Sequence, residues 1–192
     1  MNSIELSELI YPEIANDTDY EAMNPKRNLP EGAKVTRLGP SPTGFIHLGN
    51  LYGAFVDERL AHQSSGVFYL RIEDTDDKRF VENAVETIIS SLAFFGIKFD
   101  EGVTEHGDVG SYGDYTQSHR GEIYRFYAKK LLAEGKAYPC FLTEEEISEI
   151  RENQEKEKIA PGIYAGWSKY RDWDKEPEIQ KLVTDHIDAG DP

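Results

Sequence analysis

A single cysteine, Cys140, in 192 residues excludes an internal disulfide and any zinc cluster built from several cysteines, which fits a reducing compartment. No apolar run approaches the roughly 20 residues needed to span a bilayer. The first residues, M-N-S-I-E-L-S-E-L-I, carry neither the basic region nor the apolar core of a signal peptide, so a cytoplasmic protein with no membrane association is expected. Basic residues are scarce as well: 21 Lys and Arg against 36 Asp and Glu leave a net charge of −15. A uniformly acidic surface repels phosphate backbones, so contact with nucleic acid requires a local basic patch. Also missing are G-x-x-x-x-G-K-[ST] and G-x-G-x-x-G, the usual phosphate-cradling fingerprints. What remains, 39% hydrophobic and 30% charged, is an ordinary globular composition for one domain or two small ones.

The chain is organised around residues 35–50, V-T-R-L-G-P-S-P-T-G-F-I-H-L-G-N. Residues 35–39 can extend as a strand until Pro40 and Pro42 deny it ladder bonds. From Leu48 a helical period takes over, with Leu48, Leu51, Tyr52, Phe55 and Leu60 as its apolar positions. The result is strand, tight turn, helix, and the helix N-terminus offers unpaired N–H groups and a positive dipole end to an anion beyond the strand. His47 stands at the helix entrance as a donor. Gly49 and Gly53 either admit a flat ligand to the backbone or let the helix lie close on the sheet.

Residues 67–72, V-F-Y-L-R-I, read as a strand buried on both faces and joined to the first by a right-handed crossover. It runs into Glu73-Asp74-Thr75-Asp76-Asp77. In open parallel sheets ligands bind beyond the carboxyl strand ends, so the helix entrance and this acidic end should face one crevice. Asp76 or Asp77 can cap the next helix, which has Val81, Ala84, Val85, Ile88, Leu92 and Phe95 on one face and ends at Gly96. Glu73 ends an apolar strand, where a carboxylate is costly unless a cation meets it; a substrate ammonium would serve.

A short third strand is expected at residues 97–99, after which strand patterns give way to helices. One has Ile123, Tyr127, Leu131 and Leu132 inward; Arg120, Arg125, Lys129, Lys130 and Lys136 make this stretch the best place for a phosphate contact, a solvated face being the alternative. Thr143-x-x-Glu146 is a capping box, and a last helix ends at Gly190. Lys26 and Arg27, in the segment before the first strand, are a further possible basic contact, a solvated linker being the favoured alternative.

Taken together and in order, R-x-G-P-S-P-T-G-x-x-H-L-G-N, R-I-E-D-T-D at 71–76, F-D-E-G at 99–102, Y-T-Q-S at 115–118 and A-Y-P-C at 137–140 closely resemble bacterial glutamyl-tRNA synthetases. The resemblance implies an α/β fold: the first half of a Rossmann-like parallel sheet, as in class I synthetases, then a mostly helical part of the acceptor-stem-binding insertion. It implies an N-terminal extension over residues 1–33, the first half of the nucleotide-binding catalytic domain over 34–114, and part of the connecting domain over 115–192. The implied reaction attaches L-glutamate to tRNA(Glu) in two steps, through glutamyl-adenylate formed from ATP, with Mg²⁺ accompanying the ATP and no zinc. His47, Gly49 and Asn50 correspond to the class I nucleotide signature, whose fourth position is usually histidine. The resemblance assigns Arg37, Gly39, Ser41 and Glu73 to glutamate, and Pro40, Ser41, Thr43, Gly44, His47, Gly49 and Asn50 to ATP.

Family members are usually monomeric and carry a second half of the active site that these 192 residues lack, so the chain is expected to be an inactive N-terminal fragment that self-associates through an unpartnered sheet edge. Two alternatives accompany this reading: a paralogue that glutamylates a modified tRNA base, which resembles R-I-E-D-L-D, and a truncated, non-catalytic binding module. A glutaminyl enzyme would show P-E-P-N-G where this chain has Pro40-Ser41-Pro42-Thr43-Gly44.

Overall fold

In the computed structural model, which describes residues 1–44, 46–76 and 81–191, the chain divides into two compact units: Asp17–Ile123, and Met1–Asn16 with Tyr124–Pro192.

The first unit is an α/β layer. Its strands are β1 (Val35–Leu38), β2 (Val67–Leu70), β3 (Glu101–Thr104) and β4 (Gly107–Val109), in spatial order β1-β2-β3-β4. β1 and β2 pair in parallel, Val35 opposite Val67 and Leu38 opposite Leu70; β2 and β3 are also parallel, and β3 and β4 form an antiparallel hairpin. Helix α2 (Tyr20–Met23) precedes the sheet, α3 (Leu48–Gln63) is the β1–β2 crossover, and α4 (Ala84–Phe94) follows β2. The core joins Leu38, Phe68, Leu70 and Ile72 of the sheet layer to Ala54 and Ala61 of α3 and Ile88 and Leu92 of α4.

Three expectations are corrected here. The segment 97–99 is no strand: the Lys98 N–H is taken by the buried carboxylate of Glu58 at 3.0 Å, and pairing begins only at Glu101 and continues into a hairpin. Strand structure therefore does not end at Phe99. Of the expected apolar positions of α3, Leu51 packs against the core, but Leu48 is 80% and Tyr52 70% exposed and Phe55 and Leu60 are also exposed; the small Ala54 and Ala61, with Glu58, form the buried face and let the helix lie close to the sheet. Finally, α4 starts at Ala84 with Asn83 at its N-cap. Asp76, eight residues upstream of the helix, does not cap it, and Asp77 lies outside the described residues.

The two compact units run across the expected divisions at residues 33 and 114. Residues 17–33 belong with the sheet because Arg27 is anchored there: its guanidinium donates to Glu101 at 2.6 Å and lies 3.8 Å from the centre of the Tyr112 ring. Residues 115–123 belong there too, since Ile72 and Thr116 form a parallel bridge and the buried Tyr115 donates its hydroxyl to Glu101 at 2.7 Å. Burial raises the Tyr115 pKa, and the Glu101 bond adds to it, to about 12. Burial likewise raises that of Glu101, but the Arg27 and Tyr115 hydrogen bonds outweigh it and hold the carboxylate below its usual value. Arg27 is thus a structural residue, not a free basic contact.

The second unit is helical: α1 (Ser3–Ile10), α5 (Gly121–Ala133, mostly in this unit), α6 (Glu144–Lys156) and α7 (Pro177–Ala189). Asn2 and Glu5 form a capping box on α1, and Thr143 and Glu146 form the expected one on α6. Its core is Leu6, Leu132, Tyr170, Trp173 and Val183. Residues 1–16 are part of this unit, tied to α5 by the buried Lys129, whose ammonium donates to Glu8 at 2.8 Å and to the Ile14 carbonyl at 2.7 Å.

Candidate functional site

Two groups of side chains gather at the carboxyl ends of β1 and β2. The first is a charge cluster. Arg37, on β1, and Glu73, just past β2, meet with Arg37 Nη1 2.5 Å from Glu73 Oε1, and Arg71 Nη2 reaches the same oxygen at 2.8 Å. Parallel pairing in register brings β1 and β2 side by side, and the chain bonds continue past them, Arg71 N–H to the Leu38 carbonyl and Glu73 N–H to the Pro40 carbonyl. Arg71 was not singled out from the sequence, although two residues apart in extended chain places side chains on one side. Gly39 makes the cluster possible: a Cβ there would stand 2.6 Å from Glu73 Oε1.

The second group lines a pocket of about 290 Å³ formed by Gly39, Pro40, Ser41, Thr43, Gly44, Ile46, His47, Asn50 and Ile88. Gly39 belongs to both groups. Gly49 lies at the pocket's helix entrance without lining it, and its role is local: a Cβ there would sit 3.0 Å from the His47 ring, so glycine leaves room for His47 to fold over the helix end. Gly53 has nothing within 4 Å of a notional Cβ, so close packing on the sheet does not explain it.

The helix entrance differs from expectation in one respect. His47 is the N-cap of α3, and its Nδ1 accepts the Gly49 N–H at 3.1 Å and the Asn50 N–H at 3.4 Å, while Asn50 Oδ1 accepts the His47 N–H at 3.3 Å. Those two first-turn donors are therefore spent within the protein and are not open to an anion. The gain is a fixed tautomer: with Nδ1 accepting, the neutral ring carries its proton on Nε2, which becomes the donor. Asn50 completes the reciprocal cap and keeps its amide N–H₂ for a ligand.

The acidic run is divided by partner. Glu73 joins the charge cluster, whereas Asp74 accepts the Ser118 N–H at 2.9 Å and the Ser118 hydroxyl at 2.6 Å, satisfying a donor at the start of the 3₁₀ turn Gln117–Arg120. Burial raises the Asp74 pKa, but these bonds outweigh it and hold the pKa below the ordinary value. The sequence motifs at 71–76 and 115–118 are thus two sides of one junction. The basic stretch is largely engaged internally: Lys129 is buried, Arg125 is 3.6 Å from Glu13, Lys136 is 2.7 Å from Glu134, and Arg120 donates to the Asp114 carbonyl.

Comparisons with known proteins add the following. The family described as tRNA synthetases class I (E and Q), catalytic domain, matches residues 34–177. A glutamate–tRNA ligase of Acetivibrio thermocellus is 59% identical over 183 residues, covering 94% of this chain and 33% of that protein. One from Clostridium perfringens is 50% identical over 184 residues, covering 95% and 34%. The crystal structure of the glutamate–tRNA synthetase of Elizabethkingia anophelis superposes with a TM-score of 0.66 at 35% identity, covering 81% of this chain and 31% of that one. A glutamate–tRNA ligase from Elizabethkingia meningosepticum, solved in complex with its amino acid, gives 0.64 at 36% identity, covering 80% and 30%. The chain spans about a third of the length of the curated relatives it matches.

Proposed function

The chain belongs to the catalytic-domain family of the class I tRNA synthetases for glutamate and glutamine, and we propose that it supplies the amino-acid site and one wall of the ATP site for the attachment of L-glutamate to tRNA(Glu). The observation that carries this reading is the juxtaposition at Gly39 of an arginine–glutamate pair with a pocket of hydroxyls and amides. A zwitterionic amino acid with a further carboxylate needs a cation and an anion, and Arg37 and Glu73 are that set. One wall of an ATP site needs hydrogen-bond donors and a slim backbone, which Ser41, Thr43, Gly44, His47 and Asn50 provide.

In this reading the amino-acid carboxylate attacks the α-phosphate, forming glutamyl-adenylate as pyrophosphate leaves, and a hydroxyl at the 3′ end of the tRNA then takes the glutamyl group as AMP leaves. No protein nucleophile is required. Catalysis lies in holding the reactants together and in placing the His47 Nε2–H and its neighbours where phosphate charge develops. The described residues contain no group of three or more His, Cys, Asp or Glu able to hold a metal ion; Mg²⁺ would arrive with the ATP and shield the charge of its phosphates.

The test is a chimera in which these 192 residues replace the matching part of the Acetivibrio thermocellus ligase. It should charge tRNA(Glu) with glutamate and leave glutamine unused; a chimera that folds and binds tRNA but accepts neither amino acid would end the proposal. By itself the 192-residue chain should self-associate, because the outer edge of β1 pairs with no strand among the described residues and the outward apolar residues of α3 are uncovered. Sedimentation velocity should show dimers or larger species, and a clean monomer would contradict this.

A further inference from the structure

We infer that the amino-acid site proposed above is closed by its own residues in the ligand-free protein, and that Gly39 is the residue that permits this. The inference rests on that reading of the site. Arg37 and Glu73 are the two groups that a zwitterionic ligand would use, and they use each other, at 2.5 Å. Both are partly open to solvent, 37% and 29% exposed as side chains, so a ligand can reach them.

Gly39 decides whether the pair can close. A Cβ at this position would lie 2.6 Å from Glu73 Oε1, 3.0 Å from the Glu73 carboxyl carbon and 3.3 Å from the Arg37 guanidinium carbon. It would therefore occupy the space where the two groups meet. The backbone at Gly39 is not among the positive-φ glycines, so alanine fits the chain without strain, and what yields is the far end of a flexible glutamate side chain. Alanine would open the pair and leave the fold intact.

Arg71 makes the exchange selective. Glu73 Oε1 is held by two guanidinium groups, Arg37 and Arg71. When Arg37 turns to a ligand carboxylate, Glu73 keeps Arg71 and gains the ligand ammonium, so it still faces two cations. A dicarboxylate without an ammonium leaves Glu73 with one cation and places a second carboxylate beside it. Only a ligand offering both charges replaces what it breaks.

The experiment uses the 192-residue chain, with ¹⁵N NMR of the Arg37 guanidinium, assigned by its loss in Arg37→Lys. L-Glutamate and glutarate, which lacks the ammonium, are titrated separately into wild type, Gly39→Ala and Glu73→Gln. Wild type should show restrained Nη–H signals and respond to glutamate in preference to glutarate. Gly39→Ala should lose the restrained signals and bind both ligands more tightly, by up to about fivefold, the worth of a partly exposed ion pair. Glu73→Gln, which keeps the shape but removes the discriminating charge, should bind glutarate as well as it binds glutamate. If glutamate shifts Arg37 but Gly39→Ala binds it no better, the site reading stands and the self-closure inference is overturned. Equal response of wild type to the two ligands overturns the selectivity argument in the same way. Should neither ligand shift Arg37 in any of the three proteins, the amino-acid site itself falls, and the inference with it.

Discussion

In the chimera with the Acetivibrio thermocellus ligase, Arg37→Ala should lower kcat/KM for glutamate by about a hundredfold while KM for ATP changes by no more than about twofold. The magnitude follows from what the substitution leaves behind. In the complex the bound substrates would displace water from around the carboxylate that faces Arg37, and removing one member of a hydrogen-bonded charge pair costs about 2 kcal/mol or more because its partner stays desolvated and unpaired; a hundredfold corresponds to about 2.7 kcal/mol. The pocket proposed for ATP does not include Arg37, so ATP should be spared. Steady-state kinetics in each substrate, with circular dichroism to confirm folding, makes the measurement. A response to glutamate within about threefold of the parent would remove Arg37 from the site, because even a half-exposed ion pair with substrate is worth that much.

The parts of this arrangement that could be read from sequence are those with local physical causes. Pro40 and Pro42 end β1, and α3 begins directly after His47; the capping box at Thr143 and Glu146 is present as read. Strand–helix–strand over residues 35–70 gives the parallel pair β1 and β2, which brings Arg37 and Glu73 together. What escaped depends on partners distant in sequence. Periodicity shows that α3 has an apolar side and does not show that a neighbouring sheet prefers alanines. Nothing local marks Glu58 as a buried carboxylate, yet by taking the Lys98 N–H it moves the third strand from residues 97–99 to Glu101–Thr104. Arg27 and Lys129 looked like surface cations because a charge run carries no sign of the carboxylates that meet it, here Glu101 and Glu8. The donors at the start of α3 looked free for an anion because capping by Ser, Thr, Asp or Asn is the common pattern, whereas here the cap is His47 itself.

The 192-residue chain by itself should give no measurable ATP–pyrophosphate exchange with glutamate and tRNA(Glu), under conditions where the chimera exchanges readily. The reason lies in the charge of the pocket wall. A triphosphate brings several negative charges, and formation of the adenylate places more on the departing pyrophosphate. Against these the described pocket residues offer the His47 Nε2–H, the Asn50 amide and the hydroxyls of Ser41 and Thr43, and no lysine or arginine lines the pocket among them. The first-turn N–H groups of Gly49 and Asn50, which would have helped, are committed to His47. Withdrawing one well-placed donor from a comparable transition state costs about 100- to 1000-fold in other enzymes, and a triphosphate met by neutral donors on one wall is short of several. Nucleotide binding is less demanding than turnover, so weak ATP-induced NMR shifts confined to residues 39–50 should survive. Exchange by the isolated chain at a rate within about tenfold of the chimera would mean that one wall of neutral donors suffices for the transfer, contrary to that scale of loss, and the assignment of His47 and its neighbours as one part of a shared site would have to be given up.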